Sequence, residues 1–185
     1  MLAGGAGERI GGAKACVQLA GRPLIAWPLA AADAAELQPF VVAKPDSALP
    51  PLDQPILLEP ASPRHPLTGL VAALEHACGP VVMLACDMPL IEAALLRRLA
   101  GHPANGPVAL RDTHGRVHPL AARYDQASLP TLRVALARRA SLLAVLDELE
   151  ATVVPVEELA EVSAFDPLLN VNSPSDLERA ALLLQ

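Results

Sequence analysis

The chain has 185 residues, room for one domain with a single core, and a hydrophobic share of 52% with only 2% aromatics. Such a core must be built from Leu, Val, Ile and Ala, which suits helices packed on a sheet better than a β-sandwich. A net charge of −6 leaves no basic footprint for nucleic acid, and no apolar run reaches the ~20 residues of a membrane span. Three cysteines, Cys16, Cys78 and Cys86, lack C-x-x-C spacing, so neither a disulfide framework nor a zinc site is indicated, and a reducing cytoplasm fits. No basic segment leads an apolar stretch at the N-terminus, so no secretory signal is read there.

In chain order, a Gly-rich opening is followed by an apolar helical pattern over 24–35, then β-branched runs over 40–44 and 55–59 that read as strands. A helix is expected over 68–77, a strand over 80–87 and a helix over 91–100. Strands over 107–112 and 117–124 precede one long helical pattern over 132–150, a strand over 152–157 and a C-terminal helix over 173–185. Ser173 is placed to cap that last helix, with Pro174 at its first position and Asp176 near the positive dipole end. The alternation predicts one three-layer, Rossmann-like α/β domain over 1–185, with a mostly parallel sheet between helices on both faces. A strand is also expected ahead of the Gly-rich turn, yet only Met1 and Leu2 precede Ala3, against a usual length of about 5–6 residues. A miscalled start or a truncated chain is the expectation there.

The first candidate site is Leu2-Ala3-Gly4-Gly5, continued by Gly7, Arg9, Gly11, Gly12 and Lys14. Five glycines in nine positions let backbone N–H groups approach phosphate oxygens, while Arg9 and Lys14 add positive charge. The spacing matches neither the Walker loop nor a G-x-G-x-x-G turn, and a flexible Gly-rich loop is the competing reading. The second is Asp87, which ends the apolar run PVVMLACD. An acid at the carboxyl edge of a buried strand must be paired or bind a cation, and Mg²⁺ is typically held by one or two carboxylates plus phosphates and waters. Capping the turn before Pro89 is the alternative role.

Fainter signals are Gly69, in Arg64-His65-Pro66-Leu67-Thr68-Gly69, and the alternating pair Arg116 and His118. Asn170 and Asn172 stand on one face of an extended segment before a helix N-terminus. They suit a phosphate, or they order the turn into the helix.

Together, LAGGAGERIGGAKA (2–15), LAGRPLI (19–25), PLTGL (66–70), LACDMPLI (84–91), VHPLAA (117–122) and NVNSPSDL (170–177) resemble the molybdenum cofactor guanylyltransferase family, in order along the whole chain. The resemblance implies that Leu2, Ala3, Gly4 and Gly5 hold the base and phosphates of GTP. Arg9 and Lys14 would neutralise the triphosphate, and Asp87 would bind Mg²⁺. Glu59 falls where the family has an acid near the ribose or base, Gly69 belongs to the same pocket, and Lys44 stands where an Asn is frequent. Ala13 replaces a usual acid. His118, Asn170 and Asn172 fall on motifs of the pterin-phosphate side, so the N-terminal half would bind nucleotide and the C-terminal half the acceptor.

The implied reaction is transfer of GMP from GTP to molybdopterin or its molybdenum form, with release of pyrophosphate. A molybdoenzyme or a cofactor-insertion chaperone is the candidate receiver of the product. A cytidylyltransferase on the same pterin is the nearest rival, but its relatives tend to AAG in the first loop and lack P-L-x-G-L. Sugar and lipid-precursor nucleotidyltransferases usually carry longer extensions. A non-catalytic nucleotide-binding chaperone would need the cradle, not both Lys14 and Asp87.

Overall fold

In the computed structural model, which describes residues 1–3, 13–159 and 166–184, eight strands and seven helices are defined. Strands β1 (Gln18–Leu19) and β2 (Arg22–Pro23) form a small antiparallel ribbon ahead of α1 (Ala26–Ala34). Then come β3 (Val41–Ala43), β4 (Ile56–Leu58), α2 (Pro66–His76), β5 (Val81–Leu84) and α3 (Ala93–Ala100). The chain continues with β6 (Val108–Arg111), β7 (Val117–Tyr124), α4 (Leu129–Ala137), α5 (Leu142–Glu148), β8 (Thr152–Pro155), α6 (Val156–Leu159) and α7 (Pro174–Leu183).

Strand β3 pairs in parallel with β4, while β5, β7, β6 and β8 form a second sheet in that order. Leu2 joins the two, bridging in parallel to Val42 on one side and Ala85 on the other. Leu2 N–H donates to Leu84 O at 2.7 Å and Ala3 N–H to Val42 O at 2.9 Å. The short first segment thus runs as a strand between β3 and β5.

Strand residues alternate between two apolar layers. Val41, Ala43, Leu84 and Leu110 pack with α1 and α3, whereas Val42, Met83, Ala109 and Ala122 pack with α2, α4 and α5. This period of two is what places helices on both faces and makes a three-layer α/β domain.

The sheet is only partly parallel, which corrects the expectation of a mostly parallel one. Strand β7 runs antiparallel to both β5 and β6, and only β6–β8 restores parallel pairing in that half. The cause is the five-residue link between β6 and β7, too short for a crossover. Asp112 Oδ1 accepts from His114 N and Arg116 N at 3.0 and 2.9 Å, and Gly115 takes a positive φ of 84°, which closes a tight turn.

A second correction concerns the pattern over 132–150, which is two helices. Arg139 adopts a φ of 55°, and Ser141 Oγ accepts from Ala144 N, so the chain turns and α5 starts afresh. Helix α2 begins two residues ahead of the expected start, because Pro66 suits the first helical position and His65 Nδ1 accepts from Leu67 N at 3.2 Å. Helix α7 starts on the expected cap: Ser173 Oγ accepts from Asp176 N at 3.2 Å.

Candidate functional site

Three charged side chains stand just past the carboxyl ends of the parallel strands: Lys44 after β3, Glu59 after β4 and Asp87 after β5. This edge is where open α/β sheets bind ligands. A cleft of about 270 Å³ opens there, lined among others by Leu2, Lys14, Lys44, Glu59, His65 and Asp87. A larger cavity of about 550 Å³ lies at the opposite edge, beside Phe40 and Val81. Its cation Arg123 is already spent on the carbonyls of Ala100, His102, Ala104 and Gly106, so the smaller cleft is the one equipped for a charged ligand.

Lys14 enters from a short 3-10 turn, and its Nζ donates to Asp87 Oδ2 at 2.5 Å and to Asn172 Oδ1 at 2.6 Å. Among the described residues, the buried Asp87 Oδ1 takes no donor. An unsatisfied carboxylate oxygen in a buried setting is costly, and a bound cation is one way to satisfy it. Among the described residues no group of three or more His, Cys, Asp or Glu gathers around one point. Mg²⁺, which takes one or two carboxylates with phosphates and waters, fits the free oxygen of Asp87; a zinc-type cage does not.

Lys44 and Glu59 form a buried ion pair at 3.5 Å. Lys44 Nζ also donates to Pro60 O at 2.8 Å and Pro63 O at 3.1 Å, which fixes the loop leading into α2. Burial pushes the Glu59 carboxyl up from its ordinary range, against the pull of Lys44. Its Oε2 is the second buried acceptor without a donor among the described residues. Gly69, on α2, lies against both: a Cβ there would meet Leu2 Cδ1 at 2.3 Å and Glu59 Oε2 at 3.2 Å. Cys86, next to Asp87, is no nucleophile, since burial first and the Asp87 charge second push its thiol up to about 12.

His118 sits inside β7, its Nε2 2.8 Å from Asp112 Oδ2 and its Nδ1 3.3 Å from Asn170 Nδ2. Burial raises the Asp112 carboxyl, but hydrogen bonds from His118 and from the Arg116 and His114 backbone outweigh it and hold the group below its ordinary range. His118, Asn170 and Asn172 are outside the lining of the cleft. They are tied to it by Val171 N–H donating to Asp87 O at 2.9 Å and by the Asn172 bond to Lys14.

Lys14, Lys44, Glu59 and Asp87 thus line one cleft with Leu2, and Gly69 lies against Leu2 and Glu59 outside its lining. Ala3 is buried in the strand-like segment behind it, and Gly4, Gly5 and Arg9 lie outside the described residues. One participant, Asp112, is absent from the sequence reading, and another, His65, enters it only as part of the Arg64–Gly69 segment. Asp112 looks like the last residue of an apolar strand, the same signal that singles out Asp87. His65 lines the cleft and caps α2, and its place before Pro66 was the available clue.

A three-layer α/β domain with a cation and a carboxylate at the carboxyl edge of its parallel strands suits a nucleotidyltransferase, and the similar proteins give that class. The family model described as MobA-like NTP transferase domain matches residues 1–153. The molybdenum cofactor guanylyltransferase of Rhodobacter capsulatus is 35% identical, covering 97% of this chain and 92% of that one. The Cereibacter sphaeroides protein of the same name is 32% identical, covering 100% and 95%. Among solved structures, molybdopterin-guanine dinucleotide biosynthesis protein A from Archaeoglobus fulgidus superposes with a TM-score of 0.77 at 29% identity, covering 99% of this chain and 96% of that one. The chain belongs to the MobA-like NTP transferase family. Among the described residues no helix is long and apolar enough to cross a membrane.

Proposed function

We propose that the chain transfers GMP from GTP to the terminal phosphate of molybdopterin, or of its molybdenum form, with Mg²⁺ as cofactor. An oxygen of the acceptor phosphate bonds to the α-phosphorus of GTP, the bond from that phosphorus to the α–β bridging oxygen breaks, and pyrophosphate leaves with the electron pair. The observation that carries this reading is the meeting of Lys14 with Asp87 while Asp87 Oδ1 has no partner among the described residues. The printed names of the relatives support it.

Phosphoryl transfer of this kind is driven by positioning and charge neutralisation more than by covalent chemistry. Mg²⁺, when bound, orients phosphate oxygens and spreads their charge. Asp87 would hold it through Oδ1. Lys14, kept in place by Asp87 and Asn172, sets a positive charge in the cleft, and the resemblance gives Arg9 the same role. The acceptor phosphate is largely ionised near neutral pH, its second pKa being about 6, so a strong general base is not required. The N-terminal half then serves the nucleotide, with Leu2, Ala3, Gly4 and Gly5 at base and phosphates. Asn170 and Asn172, with His118 behind them, serve the acceptor. The three free cysteines suit a cytoplasmic setting.

Guanine rather than cytosine is favoured by Glu59. Its buried Oε2 needs a donor, and guanine offers ring and amino N–H groups side by side where cytosine has only an amino group. Calorimetry with GTP, CTP and ATP in the presence of Mg²⁺ tests this: GTP should bind clearly best, and equal affinities would remove the guanine assignment.

A further inference from the structure

His118 has both ring nitrogens committed inside the protein, and the direction of each bond follows from its partners. Asp112 Oδ1 already accepts two backbone N–H groups, so this carboxylate is an acceptor toward His118 as well. The imidazole proton therefore lies on Nε2, donated to Asp112 Oδ2 at 2.8 Å, and Nδ1 presents a lone pair. A lone pair requires a donor, so Asn170 turns its NH₂ toward the ring at 3.3 Å. Leu168 O, 3.3 Å from the same Nδ2, accepts from the same NH₂ group, so the two contacts hold the amide together. Asn170 Oδ1 takes no hydrogen bond among the described residues, and Asn170 is only half-buried.

We infer that Asp112 is a positioning residue for the acceptor: by fixing the His118 tautomer it locks the Asn170 amide so that the site offers the acceptor a carbonyl oxygen, not an NH₂. Asn170 therefore reads a donor, such as the ring N–H or amino group of a pterin, rather than the phosphate. Two residues on, Asn172 spends its own Oδ1 on Lys14, so a single extended segment connects the acceptor side to the charge at the nucleotide side. The inference rests on the proposed reaction for the identity of the acceptor, while the relay itself rests on the contacts alone.

The test is Asp112→Asn in the full chain. The amide can turn its NH₂ toward His118, which moves the ring proton to Nδ1 and sets it against the Asn170 NH₂, so Asn170 must give up either this contact or its bond to Leu168 O. NMR of the imidazole nitrogens should show the proton on Nε2 in the wild type and on Nδ1 in the variant. Calorimetry should show molybdopterin affinity falling about tenfold, the usual scale of one hydrogen bond, with GTP affinity unchanged. Should Asp112→Asn not fold, Asn170→Ala should show the same loss of acceptor affinity. An unmoved ring proton, equal losses for GTP and molybdopterin, or an Asn170→Ala chain that binds molybdopterin normally would each overturn the inference. A wild type that binds both ligands without releasing pyrophosphate would instead sink the reaction while leaving the relay intact.

Discussion

Lys14 and Asp87 are 73 residues apart in sequence and 2.5 Å apart in space, at the carboxyl end of β5. Among the described residues the other Asp87 oxygen is buried and unsatisfied. The pair is thus asymmetric: one carboxylate oxygen holds a protein cation, and the other is the one proposed for a metal. Both side chains are mostly withdrawn from water, at 15% and 10% exposure, which strengthens their field on a bound triphosphate relative to a surface pair.

Asp87→Ala should abolish Mg²⁺-dependent pyrophosphate release, a fall of at least roughly 10²-fold, with the fold retained. The removed side chain is at the edge of a cleft, and Lys14 keeps its bond to Asn172, so the melting profile should stay cooperative. Turnover persisting at the wild-type rate would put the metal elsewhere.

Lys14→Met should cut kcat/KM for GTP by about 10²–10³-fold, the scale of losing one fixed charge beside a reacting phosphate. Lys14→Arg should recover only part of it. A planar guanidinium cannot reproduce the close grip of one ammonium on Asp87 Oδ2 and Asn172 Oδ1 at 2.5 and 2.6 Å. Equal rates for Arg and Lys would mean that charge alone matters.

Much of this arrangement was readable in the residues, for reasons that also explain what was not. Strand β7 matches its expected span over 117–124 because a turn bounds it on one side and the Asp125 cap on the other. Lys14 and Asp87 stood out because a cation on a Gly-rich segment and an acid ending an apolar strand each need a partner. Strand direction was hidden, since apolar runs look alike either way and only the short Asp112–Arg116 link decides it. The break between α4 and α5 was hidden for a similar reason: apolar periodicity continues through a left-handed Arg139. The Asn172–Lys14 contact spans 158 residues, and no local pattern encodes it.

Gly69→Ala sets two effects against each other. On α2, replacing Gly by Ala gains up to about 1 kcal/mol of helix propensity. The added Cβ, however, would stand 2.3 Å from Leu2 Cδ1, in a strand segment hydrogen-bonded on both sides, and overpacking typically costs about 1–3 kcal/mol. The clash should win, lowering the denaturant midpoint with the m-value unchanged and weakening GTP binding through Leu2. A stabilised variant with full GTP affinity would show that Leu2 moves aside freely.

The pH dependence of stability should have two components of opposite sign. Asp112 and Asp176 are held below the ordinary value of 3.8 by their hydrogen bonds, so the unfolded chain binds their protons first. Their stabilisation is present above that value and is lost as pH falls through the folded pKa. Glu59 is raised above 4.5 by burial, so the folded chain holds its proton longer, and stability falls as pH rises from 4.5 through the folded value. Melting temperatures across the acid range should therefore drop less steeply below pH 3.8 in Asp112→Asn than in the wild type. Glu59→Gln should remove the loss above pH 4.5. An acid limb in Asp112→Asn parallel to that of the wild type would show that this carboxylate is not held down in the fold.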